Sequence, residues 1–167
     1  VPLTYTPIAT QTFSSADVSV TFSSIPSTYT DLRIVVAGVT SAAGRTVQIR
    51  FNGDSTSGLY SMTELWGTGS TAGSNRRTGQ NQIETSYQQV NFSDTNQANA
   101  LIDVMNYNNS TTFKTLLARV NSASASFPGT VASVGLWRNT NAVTSITVIG
   151  NNFNAGSTVS LYGILAA

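Results

Sequence analysis

The sequence predicts an all-β protein, a two-sheet antiparallel β-sandwich, with jelly-roll connectivity as the expected finer form. Three observations lead there. Apolar and β-branched residues alternate with polar ones at a period of two through much of the chain. Turn-forming residues interrupt these runs about every 8–12 residues, a spacing that suits sandwiches and barrels. Finally, 167 residues hold one domain with a sizeable core, and so many short strands need two packed sheets to bury it.

The runs follow in order. Val18, Val20 and Phe22 alternate with Ser19, Thr21 and Ser23; Leu32, Ile34 and Val36 with Asp31, Arg33 and Val35; Val47, Ile49 and Phe51 with Gln48 and Arg50. Later, Val143, Ser145, Thr147 and Ile149 interleave with Thr144, Ile146 and Val148, and Val159, Leu161 and Gly163 with Ser160, Tyr162 and Ile164. Strands are expected at 4–13, 17–23, 31–38, 45–52, 58–66, 80–87, 98–106, 111–121, 130–138, 141–149 and 156–164. Residues 113–120 could form two helical turns, but their β-rich flanks favour a strand. Asn52-Gly53-Asp54 carries an Asn-Gly hairpin signal. Gly38, Gly135 and Gly163 lie inside strand patterns and mark bulges or close backbone approach.

Two segments break the pattern. Residues 67–79, rich in Gly, Ser and Thr and carrying Arg76 and Arg77, read as a long loop that could make contacts. Residues 1–12 contain Pro2 and Pro7, which suit an edge strand or an extended arm ahead of a single sandwich domain at 13–167. Such an arm could reach a neighbour by strand addition. The start, Val1-Pro2-Leu3-Thr4-Tyr5, has neither the basic nor the apolar region of a signal peptide.

Composition removes much of the common catalytic chemistry. There is no histidine and no cysteine, Lys114 is the only lysine, and Ser, Thr, Asn and Gln together number 68. Imidazole bases, thiolate nucleophiles, disulfides and zinc fingers are excluded. A net charge of +1, with 9% charged residues, gives no field to gather phosphates or anionic lipid, so nucleic acid is not an expected partner. No run approaches the ~20 apolar residues of a membrane-spanning helix. A near-neutral surface tolerates association, so a homo-oligomer is expected. The absence of cysteine leaves the compartment open.

The remaining candidates are few. Glu64 and Glu84 flank the 67–79 segment and could face each other; solvated residues near Arg76 and Arg77 are the plainer reading, and a glycosidase pair the sharper one. Asp103, in an apolar run, calls for a partner, and Arg119 on the following strand is the expected one. Asn52-Gly53-Asp54-Ser55 is too short for an EF-hand, which leaves only scattered loop oxygens for calcium, and neither a metal nor a cofactor is expected. Trp66, at a strand end, and Tyr60 could offer flat faces to a sugar, whereas Trp137 suits the core.

An ordered series of segments carries a family resemblance. Phe22-Ser23-Ser24-Ile25-Pro26-Ser27-Thr28-Tyr29-Thr30-Asp31-Leu32-Arg33-Ile34 comes first, then Arg50-Phe51-Asn52-Gly53-Asp54 and Ile102-Asp103-Val104-Met105-Asn106-Tyr107. Gly135-Leu136-Trp137-Arg138-Asn139-Thr140 and Ser160-Leu161-Tyr162-Gly163-Ile164 complete it. The chain resembles small virion structural proteins of tailed bacteriophages of cyanobacteria and marine bacteria. The resemblance implies a non-enzymatic capsid cement or decoration protein on the outer surface of the phage particle, assembled in the host cytoplasm. It further implies the major capsid protein as partner and a homotrimer. The alternative is a tail-fibre or receptor-binding module for a host glycan, with Trp66 and Tyr60 in contact. Under the cement reading, the expected contact residues are Val1, Pro2, Leu3, Tyr5 and Pro7 of the N-terminal stretch, with Arg76 and Arg77 second.

Overall fold

The computed structural model describes residues 4–42, 44, 46–87, 90–92, 95–125 and 127–165. Among them the strands are β1 (Tyr5–Thr12), β2 (Asp17–Phe22), β3 (Asp31–Gly38), β4 (Gln48–Phe51), β5 (Tyr60–Gly67), β6 (Ala72–Gln80), β7 (Ile83–Glu84), β8 (Ala98–Met105), β9 (Lys114–Ser122), β10 (Gly129–Trp137), β11 (Ile146–Phe153) and β12 (Thr158–Ile164). They form an eight-stranded sheet, ordered β1-β12-β3-β8-β9-β10-β5-β6, and a four-stranded sheet, ordered β2-β11-β4-β7. All pairings are antiparallel. Strands divided eight and four exceed the eight of a jelly roll, so the fold is a two-sheet antiparallel sandwich without that finer label.

Alternation decides which residues enter the core. Leu32, Ile34 and Val36 of β3, Ile102 and Val104 of β8 and Leu116 of β9 turn inward and are buried. Ile49 and Phe51 of β4 and Ile146 and Val148 of β11 meet them from the small sheet. Side chains on the two inner faces interdigitate, as sandwich packing requires. Gly135 of β10 allows the closest approach: a Cβ built there would lie 2.5 Å from Ile83 Cγ2 of β7. Gly163 of β12 likewise lies against the ring of Tyr29, where a Cβ would meet Cγ at 2.3 Å. Close backbone approach is therefore what these strand glycines provide. Polar bonds also link the two layers, among them that from Ser133 Oγ to the Thr85 carbonyl at 2.9 Å.

Several expectations change. Residues 67–79 are not a loop: β6 covers Ala72–Gln80 and forms the edge of the large sheet beside β5. Of the two readings for the N-terminus, Tyr5–Thr12 is an edge strand, paired with β12 throughout apart from a register shift between Pro7 and Ala9. The body thus starts by Tyr5, while Val1, Pro2 and Leu3 lie outside the described residues. The expected strand at 80–87 shrinks to the two residues of β7.

The Asn-Gly signal marks a real turn, with φ of 52° at Asn52 and 66° at Gly53. It does not make a hairpin, because β4 and β5 belong to different sheets. Instead Asn52 clamps the chain before β11. Its Oδ1 accepts from Thr144 N (2.8 Å) and Ser145 N (3.1 Å), and its Nδ2 donates to the Ala142 carbonyl at 2.8 Å.

Candidate interaction face

The outward half of the large sheet is not covered by the small one. Its register builds two long rows across all eight strands. One reads Pro7, Tyr162, Arg33, Asp103, Leu117, Val134, Thr63, Arg76. The next reads Thr10, Ser160, Val35, Leu101, Arg119, Ala132, Leu65, Ser74. Where β9, β10 and β5 meet, Leu65 (66% exposed), Leu117 (50%) and Val134 (48%) form an apolar patch. A shallow groove of about 570 Å³ runs there, with Thr63, Ala132 and Arg119 also on its walls. Isolated exposed apolar residues are ordinary, but three adjoining ones across neighbouring strands make this the candidate contact surface.

Charge is sparse on this face, and Arg33 and Asp103 are paired with one another. Arg33 Nε reaches Asp103 Oδ1 at 2.5 Å and Arg33 Nη2 reaches Oδ2 at 2.8 Å, a bidentate pair directly across β3 and β8. Sequence order suggested Arg119 for Asp103; the actual partner stands on β3, beside β8, and Arg119 stands opposite Leu101. Arg33 also donates to Tyr5 Oη at 2.6 Å and lies 5.2 Å from that ring's centroid. Tyr5 is thus 45% exposed yet held in place. Pro7 occupies the edge opposite Tyr162.

The two arginines of β6 separate. Arg76 is exposed on the outer face, opposite Thr63. Arg77 turns the other way, pairs with Glu84 Oε2 at 2.7 Å, donates to Gln80 Oε1 and covers the Tyr87 ring at 4.4 Å. Its guanidinium is engaged within the fold. Glu64 and Glu84 do not combine as an acid pair across an open site. Glu64 is 1% exposed and accepts from Asn75 Nδ2 and Tyr87 N, both at 2.8 Å. Burial raises its pKa, these two bonds work against that, and the nearby Glu84 adds to the rise.

Of the two expected sugar platforms, Tyr60 is taken up by the core and Trp66 is partly buried. Tyr60 is fully buried, donates its hydroxyl to the Asp54 carbonyl at 2.8 Å and stacks on Trp137 at 6.2 Å between centroids. Trp137 is buried as expected, and its indole N–H donates to Asp54 Oδ2 at 3.0 Å. Trp66 packs beneath Gly73, whose built Cβ would lie 2.7 Å from the indole. Its Nε1 is buried with no hydrogen-bond partner. Tyr60 therefore presents no ring face to solvent, whereas Trp66 is partly exposed.

Lys114 is the residue that sequence reasoning passed over. It is 1% exposed and donates to the carbonyls of Thr112 (2.8 Å) and Thr140 (3.0 Å), joining the turn before β9 to the segment after β10. Burial lowers its pKa. No local pattern announces this, because Phe-Lys-Thr reads as an ordinary exposed strand start.

Comparisons with known proteins add little. No family model matches the chain, and no curated protein matches it. A structure of exo-inulinase from Aspergillus awamori aligns with 96% of this chain and 29% of its own, at 8% identity and a TM-score of 0.30. A likeness at that level carries no argument about function.

Proposed function

We propose that this chain is a structural component of a bacteriophage particle, a capsid cement or decoration protein. It would strengthen the head shell by contact with the major capsid protein and with its own copies, as a trimer in the form the resemblance implies. The observation that carries this reading is the exposed apolar patch of Leu65, Leu117 and Val134 on a broad, nearly neutral sheet face. Hydroxyl- and amide-rich surroundings favour contact by area and repetition over contact by strong charge. Copies bound side by side add small free energies that multiply over a shell. The N-terminal stretch contributes as an edge strand, so removing residues 1–10 would strip paired backbone from β12.

Quantitative mass spectrometry of purified particles tests the proposal. The expected result is a copy number within an order of magnitude of the major capsid protein, and particles lacking this chain should rupture at lower temperature. A handful of copies would move it to the tail, and absence from particles would overturn the reading.

A further inference from the structure

Charge bookkeeping over the described residues leaves three side chains unanswered. Asp103 pairs with Arg33 and Glu84 with Arg77. Asp31 accepts from Asn106 N, Asp54 from Trp137 and Thr56, and Glu64 from Asn75 and Tyr87. Arg50 reaches Gln82, Arg138 reaches Ser61 and Gly58, and Lys114 reaches two carbonyls. What remains is Arg76 and Arg119 beside the apolar groove, and Asp17, whose one bond is to Ser19 N within its own strand.

These leftovers lie on different surfaces. Asp17 opens β2, an edge strand of the small sheet, and its neighbour Val18 is 52% exposed. Val18 is the one large apolar side chain of the small sheet that is mostly exposed, among the described residues. The edge therefore carries an apolar knob beside an anion, and the groove carries apolar walls beside two cations. β7, not β2, packs beneath β10 and β5, so the two surfaces sit at opposite sides of the sandwich.

The geometry points to a heterologous contact between copies of this chain, in which the start of β2 from one copy docks in the β9-β10-β5 groove of the next. Val18 would fill the groove between Leu117, Val134 and Leu65, while Asp17 takes Arg119 or Arg76. Exposed ion pairs add little affinity, so the apolar contact supplies the binding and the charges set register. A face-to-face twofold would bring guanidinium groups of the two copies together without an unpaired acid between them, whereas the edge-to-face arrangement matches opposite signs. Heterologous contacts close into rings when the rotation permits, and three copies would give the trimer proposed above.

Sedimentation velocity on the purified chain, with concentration raised to about 100 μM, tests this. Wild type should self-associate. Leu117→Glu and Val18→Asp should each raise the apparent dissociation constant at least about tenfold while leaving the melting transition in place. The decisive sample is an equimolar mixture of those two variants. One retains an intact edge and the other an intact groove, so the mixture should form a heterodimer that neither forms alone. Arg119→Glu should weaken association at low salt, and adding Asp17→Arg should recover part of it. A monomeric wild type, unaffected variants, or a mixture that stays monomeric would overturn the inference. The contact rests on the self-association part of the proposed function and not on its location. Particle copy number and solution association therefore fail separately: a shell protein can prove monomeric, and an associating chain can prove absent from particles.

Discussion

Leu116 and Leu117 are consecutive residues of β9, yet the first is fully buried between the sheets and the second is half exposed on the open face. The same split runs through β10, where Gly135 admits Ile83 on the inside while Val134 stands in the groove. Two faces of one sheet thus obey different rules. Inside, shape decides, since packing at crystal-like density leaves no room for an added methyl. Outside, the same apolar residue types contribute almost nothing to the fold and are free to serve a contact.

The largest effect that tests this contrast is expected at Trp137. Truncation to Ala removes the stacking with Tyr60, the contact with Phe51 and the bond to Asp54. It should cost about 3–5 kcal/mol by chemical denaturation. Leu116→Ala should cost about 2–5 kcal/mol, whereas Leu117→Ala should stay within about 0.5 kcal/mol. Equal losses at the two leucines would erase the distinction between faces.

Next comes Gly135→Ala, which forces a methyl toward Ile83 and should cost about 1–3 kcal/mol in the same assay. In an Ile83→Ala background, which removes both Cγ2 and Cδ1, the added methyl should cost less, because the conflict lies with the Ile83 side chain. The neighbouring Val134→Ala should leave the denaturation midpoint nearly unchanged.

A smaller effect concerns the carboxylates of the two faces. Asp103 sits outside with a guanidinium, whereas Glu64 sits inside with an amide and a backbone N–H. Its folded pKa lies above the ordinary value of 4.5. The folded state therefore holds more protons than the unfolded one in the window just above that value, and stability falls as pH rises through it. Glu64→Gln should flatten that part of a stability-versus-pH curve, and matching curves for both proteins would refute the account.

Why some of this was legible in the sequence and some was not follows from what each strand buries. β3, β8 and β12 alternate cleanly because one of their faces enters the core. β6 has no such face: as an edge strand, it contributes no buried apolar side chain, and Ala-Gly-Ser-Asn-Arg-Arg-Thr-Gly-Gln has none to contribute. Backbone pairing to β5 and polar side-chain bonds such as Asn75 to Glu64 and Arg77 to Glu84 hold it, and neither leaves an apolar periodicity to read. The Arg33 partner of Asp103 was hidden for another reason. Adjacent strands in the sheet lie 70 residues apart in the chain, whereas reading along the sequence favours the next strand. Tyr60 was misjudged because an aromatic at a strand end looks the same whether it caps the core or faces solvent.

Lys114 has a practical consequence. Within these 167 residues it is the single cleavage site for a lysine-specific protease, and its side chain is buried and bonded to two backbone carbonyls. Digestion should leave the native chain intact and convert the unfolded chain into two pieces. The yield of those pieces, measured across denaturant, would read the population of open molecules without any engineered label.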